Sequence, residues 1–129
     1  MARDNYYNEG DKYSQWHRYA DDFLGMVDLD QVEICRKCYE PLFLAETCYD
    51  KNQAYKTTTT TRRLAERAKL DAYLVFYQYD EIKGAVVGFR VQKVAPFKSE
   101  MFQLSVEDWI KTMQQYHIDH KKFCIKETG

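Results

Sequence analysis

Glycine and proline are scarce, five and two residues among 129, which excludes a low-complexity or disordered chain and leaves little room for long loops. No apolar run reaches the length of a membrane-spanning helix, so no membrane role is expected. The opening stretch, MARDNYYNEGDK, is polar and lacks the apolar centre of a secretory leader. The expected compartment is therefore the cytoplasm. An excess of charge of either sign is also missing: 19 Lys and Arg against 20 Asp and Glu leave a net charge of −1. That excludes the strongly basic balance of a passive nucleic-acid binder, so any nucleic-acid contact must come from a local patch or a metal. Cysteine is limited to four residues; in a reducing compartment they are expected as free thiols or metal ligands, although a disulfide stays open at this stage. There is no repeat and no linker. The expected organisation is one domain over residues 1–129, with an arm at 1–11, a core at 12–95 and a C-terminal helical extension at 96–129.

What is present suits a packed core. The chain is 45% hydrophobic and 16% aromatic, with eleven Tyr and seven Phe, residue types that favour strands and half-buried faces. Tyr13, Trp16, Ala20 and Phe23 recur at helical spacing in residues 12–23. The stretch MVDLDQVEIC alternates as a strand over 26–35, RKCYEP turns, and Leu42 to Tyr49 returns. A run of five Thr, any of which can cap a helix, leads into RRLAERAKL, where Leu64, Ala65 and Ala68 form a narrow apolar stripe. LDAYLVFYQY is almost continuously apolar and reads as a central strand buried on both faces. AVVGFRVQKV reads as a further strand ended by Pro96, and Ser105 to Asp108 resembles a capping box opening an amphipathic helix to about Phe123. The order helix, strand, strand, helix, strand, strand, helix predicts an α/β (α+β) fold with a mixed central sheet flanked by helices.

Two carboxylates, Asp28 and Asp30, alternate with Val32 and Ile34 on one strand face, and Glu46 falls between Leu44 and Cys48 on the next. Burying an unpaired charge is costly, so these acids call for a cation or a basic partner. Hard oxygen donors on adjacent strands are a means of holding Mg²⁺ or Mn²⁺ for phosphodiester hydrolysis. The plainer alternative is a surface Asp pair with Glu46 paired to an Arg.

With Trp16-His17-Arg18 on a helix, then VDLDQVE, a hairpin, PLFLAET, a basic helix and LDAYLVFY, the chain resembles the PD-(D/E)XK nuclease superfamily over about residues 12–80, small phage-encoded members above all. The resemblance implies a restriction-endonuclease-like core and an Asp on one strand followed by Glu-x-Lys on the next. Asp30, or Asp28, matches the Asp and Glu46 the Glu. Cys48 stands where the Lys belongs, and a thiol cannot supply a cation. Some members of the superfamily carry that Lys on the following helix, which points to Lys56, with Lys51 as the lesser choice. The resemblance thus implies catalysis by Asp30, Glu46 and Lys56, a divalent ion on Asp28, Asp30 and Glu46, DNA as the substrate, a homodimer as an allowed assembly, and the host cytoplasm as the compartment of a phage-encoded chain.

Cys35-x-x-Cys38 in the hairpin turn has the spacing of a zinc half-site. Its other half is compatible with His120 and Cys124, whose spacing suits one helical face; four reduced, partly buried thiols are the alternative. Lys56, the Thr run, Arg62, Arg63 and Arg67 offer phosphate ligands, as do His17 and Arg18, against the plainer reading of solvated helices. A nucleophilic role for Cys48 with His17 lacks an orienting third group. Three readings therefore stand: a metal-dependent DNA endonuclease, a catalytically silent nuclease-fold protein that binds and inhibits a host protein, and a small zinc-stabilised binding module.

Overall fold

The LDAYLVFYQY run becomes the middle strand of a five-stranded sheet in the computed structural model, which describes residues 12, 15–17 and 29–124. Of the expected N-terminal helix, Lys12, Gln15, Trp16 and His17 are helical. The arm, Arg18 and Asp28 lie outside the described residues. The strands are β1 (Gln31–Ile34), β2 (Pro41–Tyr49), β3 (Asp71–Asp80), β4 (Ala85–Ala95) and β5 (Phe102–Leu104), with helix α1 (Thr59–Ala68) between β2 and β3 and helix α2 (Val106–His120) after β5. Sheet order is β1-β2-β3-β4-β5. Short turns make the neighbours antiparallel, except that β2 and β3 run parallel because α1 carries the chain back between them. The sheet is mixed and the class is α+β, as the pattern of elements predicts.

Alternation along β3 divides the core. Ala72, Leu74 and Phe76 face α1, packing with Leu44, Ala65, Val94 and Ala95. Tyr73 and Val75 face α2, packing with Phe43, Val91 and Trp109. β3 is thus buried on both faces along its first half. Small residues at Ala65, Ala72 and Ala95, each 0% exposed, let α1 lie close to the sheet. On the other face Trp109 meets Phe43 and Tyr73 edge-on, with centroids 6.1 and 5.4 Å apart. Tyr116 of α2 donates to Asp71 at the start of β3, and its hydroxyl lies 2.5 Å from that of Tyr73. Burial, then the hydrogen bond to the Asp71 carboxylate, push the Tyr116 hydroxyl well above the ordinary phenol range.

Three expectations need correction. Among the described residues β1 begins only at Gln31, so Asp30 stands before the strand and not within its ladder. The buried positions of α1 are Thr61 and Ala65, one turn apart, whereas Leu64 is 42% exposed and Ala68 is exposed. Thr61 can be buried because its hydroxyl is satisfied, as described below. Within the expected helical extension, Phe102 to Leu104 add a fifth strand beside β4. The forecast capping box holds in its forward half: the Ser105 side chain accepts from the Asp108 amide at 3.0 Å.

Candidate functional site

Glu46 sits midway along β2, in register with Leu74 of β3, on the face covered by α1. Its side chain is 14% exposed, and both of its oxygens have partners. Oε1 accepts from the Thr61 hydroxyl of α1 at 2.8 Å. Oε2 accepts from the Lys56 ammonium at 3.1 Å. The same ammonium lies 3.4 Å from the Thr47 carbonyl and 3.9 Å from Asp30 Oδ2. Asp30 is fixed in turn by the Thr47 amide, which donates to Oδ2 at 3.0 Å. Three hard oxygens, from Asp30, Glu46 and Thr47, therefore surround one cationic position, which Lys56 fills.

Lys56 reaches this point from the loop between β2 and α1. Asp50, whose side chain is 5% exposed, receives a bidentate clamp from Arg90 of β4, at 3.0 Å from Nε and 2.8 Å from Nη2. Nη2 also donates to the Gln53 carbonyl at 2.9 Å, and Gln78 donates to Asp50 at 2.8 Å. Asp50 also accepts from the Asn52 amide at 2.8 Å. The Arg90 hydrogen bonds outweigh the cost of burial and hold Asp50 far below the usual carboxylate range. Partial burial by itself would lower Lys56, but the hydrogen bond and charge of Glu46, with Asp30 and Cys48 adding, raise its pKa above that of an ordinary lysine. Lys56 is accordingly a fixed positive charge at neutral pH and not a proton acceptor.

The sequence-predicted residues thus fall into groups. Asp30, Glu46 and Lys56 come together. Lys51 does not join them: it is exposed, and its amide donates to Gln53 Oε1 at 2.6 Å. Cys48 points into the α1-facing core and takes a hydrogen bond from Gln53 at 3.6 Å. Arg62 is half-buried and Arg63 exposed on α1, and His17 stacks edge-on against Trp16 at 6.5 Å. Thr61, expected only as one of a Thr run offering phosphate ligands, instead holds Glu46, and the Thr47 carbonyl was missed. The first sits in a run of five identical residues, and the second is a backbone group with no sequence signature.

A second cluster lies at the far end of the β1–β2 hairpin. The turn after β1 is closed by the Tyr39 amide on the Cys35 carbonyl at 2.7 Å and the Cys35 amide on the Glu40 carbonyl at 3.0 Å, with Tyr39 in the left-handed region at φ 63°. This sharp turn puts Cys35 and Cys38 side by side. His120 ends α2, and a turn, closed by the Phe123 amide on the His120 carbonyl at 2.8 Å, brings Cys124 back. The His120–Cys124 spacing is therefore realised by a turn and not by a continuous helical face. The four donor atoms lie within 4.8 Å of one another. Cys35 Sγ is 3.8 Å from Cys124 Sγ, and Cys38 Sγ is 3.2 Å from His120 Nε2. A tetrahedral ion with bonds of about 2.3 Å to sulfur sets its sulfurs roughly 3.8 Å apart, so the cluster is shaped to bind a metal ion. The amides of Cys38 and Lys37 lower the Cys35 thiol to about 6, which favours the thiolate that a metal requires. For Cys38 the Glu40 amide pulls down, but burial and the neighbouring thiols leave it raised. No family model, curated protein or solved structure matches the chain, and no helix among the described residues is long and apolar enough to cross a membrane.

Proposed function

We propose that the chain is a metal-dependent DNA nuclease of the PD-(D/E)XK type, with Lys56 in place of the lysine that Cys48 displaces. The observation that carries this reading is the Lys56 ammonium, 3.1 Å from Glu46 and 3.9 Å from Asp30 although the three residues come from a loop, a strand and a segment before another strand. The donors suit Mg²⁺ or Mn²⁺ in kind, since the oxygens are hard, and an ion would take the position that the Lys56 ammonium fills between Glu46 and Asp30. Asp30, Glu46 and the Thr47 carbonyl are the groups that would hold the ion. Such an ion supplies a polarised phosphoryl oxygen and a more acidic water. Thr61 orients the Glu46 carboxylate. Lys56, held charged by its acidic neighbours, would shift toward a phosphate and stabilise negative charge developing on its oxygens.

A cleavage assay on plasmid and branched DNA with Mg²⁺ or Mn²⁺ tests this. Glu46→Ala and Lys56→Ala are each expected to slow cutting by about 10²-fold or more. Wild-type protein that cuts neither substrate with either ion would overturn the reading. The second reading, a silent relative that binds a host protein, is favoured by one observation: both Glu46 oxygens already have protein partners. Under that reading Glu46→Ala folds and keeps its partner.

For the second cluster we propose zinc, which thiolate and imidazole donors in tetrahedral array suit best among common divalent ions. Its role is to hold the end of α2 to the hairpin turn, and it serves the nuclease and the binding-module readings alike. About one zinc per chain in purified protein is expected; a metal-free protein of unchanged stability would remove it.

A further inference from the structure

Helix α1 begins without the devices that normally quiet a helix N-terminus. Its N-cap, Thr58, has φ −128° and ψ 21° and makes no side-chain capping bond, and the first turn carries no acid. The first helical bond runs from the Arg62 amide to the Thr58 carbonyl at 2.8 Å, so the amides of Thr59 to Thr61 precede it and carry the positive end of the helix. Thr58 is nonetheless nine-tenths buried, 9% exposed. Its hydroxyl has no hydrogen-bond partner among the described residues, yet no partnerless side-chain oxygen is sealed from solvent. It opens into a cleft of about 210 Å³ that Thr58 lines together with Tyr55, Thr59, Arg62 and Lys98. Arg62 and Lys98 have no acidic partner among the described residues. Lys98 is carried by a loop pinned to β4, where the Ser99 amide donates to the Lys93 carbonyl at 2.9 Å and the Lys93 amide to Ser99 Oγ at 3.0 Å. Lys56 lines the same cleft, which places it directly beside the Asp30–Glu46 pair.

An uncapped helix end, a hydroxyl of the largely buried Thr58 that has no protein partner among the described residues, and two cations without an acidic partner among them line one polar cleft and form an anion site. We infer that this cleft holds a phosphate of the nucleic-acid strand, next to the phosphate at the carboxylates, through the α1 amides, the Thr58 hydroxyl, Arg62 and Lys98. The choice of nucleic acid as the source of that phosphate rests on the nuclease reading. Tyr55, 70% exposed at the cleft, adds a ring on which the adjoining base can stack.

The test is an amide NMR titration of the full chain with inorganic phosphate and with the tetranucleotide dT4, without divalent ions. Both ligands are expected to shift the amides of Thr59 to Thr61. Lys98→Ala and Arg62→Ala should each weaken dT4 binding about tenfold. Thr58→Val, which removes no capping bond, should weaken it about threefold with an unchanged melting temperature. Tyr55→Ala should weaken dT4 and leave inorganic phosphate unaffected. The inference is overturned if dT4 leaves these amides unshifted, or if Lys98→Ala and Arg62→Ala bind dT4 like wild type. A chain that shows the shifts and the Lys98 effect but cuts no DNA keeps the subsite and loses the nuclease reading. A chain that cuts DNA with no such shifts loses only the subsite.

Discussion

Thr61 and Lys56 hold Glu46 from opposite sides, and the two contacts differ in kind. The lysine contact is partly exposed, at 37% for the Lys56 side chain, and is screened accordingly. The Thr61 hydroxyl is buried, and its loss would leave Glu46 Oε1 short of a donor. Thr61→Val is therefore expected to destabilise the fold by about 1–3 kcal/mol and to slow any Glu46-dependent cutting, read from urea denaturation and the cleavage assay together. Asp50 offers a pH test. Its folded pKa is depressed, so its stabilising effect is complete above its ordinary value of about 3.8 and fades as pH falls below it. Asp50→Asn leaves Arg90 without its countercharge and should cost about 3 kcal/mol at pH 7. The gap between wild type and variant should narrow below about pH 4, which acid-titrated melting curves would reveal. At this scale Glu46 was legible, because a lone acid in an apolar strand demands a partner. Lys56 was legible only through the resemblance, and Thr61 was hidden among identical neighbours, where only the register of α1 against β2 selects it.

The elements follow from periodicity where the pattern is long and fade where it is short. β3 and α2 were legible because an unbroken apolar run and a capped 3.6-residue repeat leave few alternatives. β5 spans three residues, Phe102 to Leu104, too few to alternate, and its existence depends on β4 offering an open edge. Of the apolar stripe forecast for α1, Ala65 is buried while Leu64 and Ala68 are exposed, and Thr61 takes the buried place one turn earlier because a Thr whose hydroxyl has a partner is tolerated in the interior. Trp109 bridges Phe43, Tyr73 and Phe89 from α2, and Trp109→Ala is expected to cost about 3–5 kcal/mol. The C-cap of α1, Lys69, is left-handed at φ 60°, a conformation that burdens any residue with a Cβ. Lys69→Gly should stabilise the fold by about 1 kcal/mol, a rise of roughly 3–5 °C in melting temperature.

For the molecule as a whole, the Cys3His cluster joins positions that are 82 residues apart at Cys38 and His120. Its first half was legible as Cys-x-x-Cys, and His120 and Cys124 were legible as a compatible second half by their spacing; that a turn after α2 brings them together, and not one helical face, was not, because they meet the hairpin only after α2 has docked on the sheet. Zinc bound only to the folded chain adds about 4 kcal/mol when free zinc stands roughly 1,000-fold above its dissociation constant. A strong chelator should accordingly lower the melting temperature, and Cys124→Ser should reproduce most of the loss without a chelator. The loop so closed, from Cys35 to Cys124 over 89 residues, contains β2 to β5 and both helices. This closure has a mechanical consequence. When the metal is bound, a pull applied to the two ends of the chain first loads the pairing of β1 with β2 and then enters at Cys35 and leaves at Cys124, so the load passes through metal–sulfur bonds and the ladders among β2 to β5 are spared. Optical-trap traces of the loaded protein should show the short β1 peel away and then one late rupture that frees about 300 Å of chain at roughly 3.4 Å per residue, whereas chelated protein should give way early throughout the sheet.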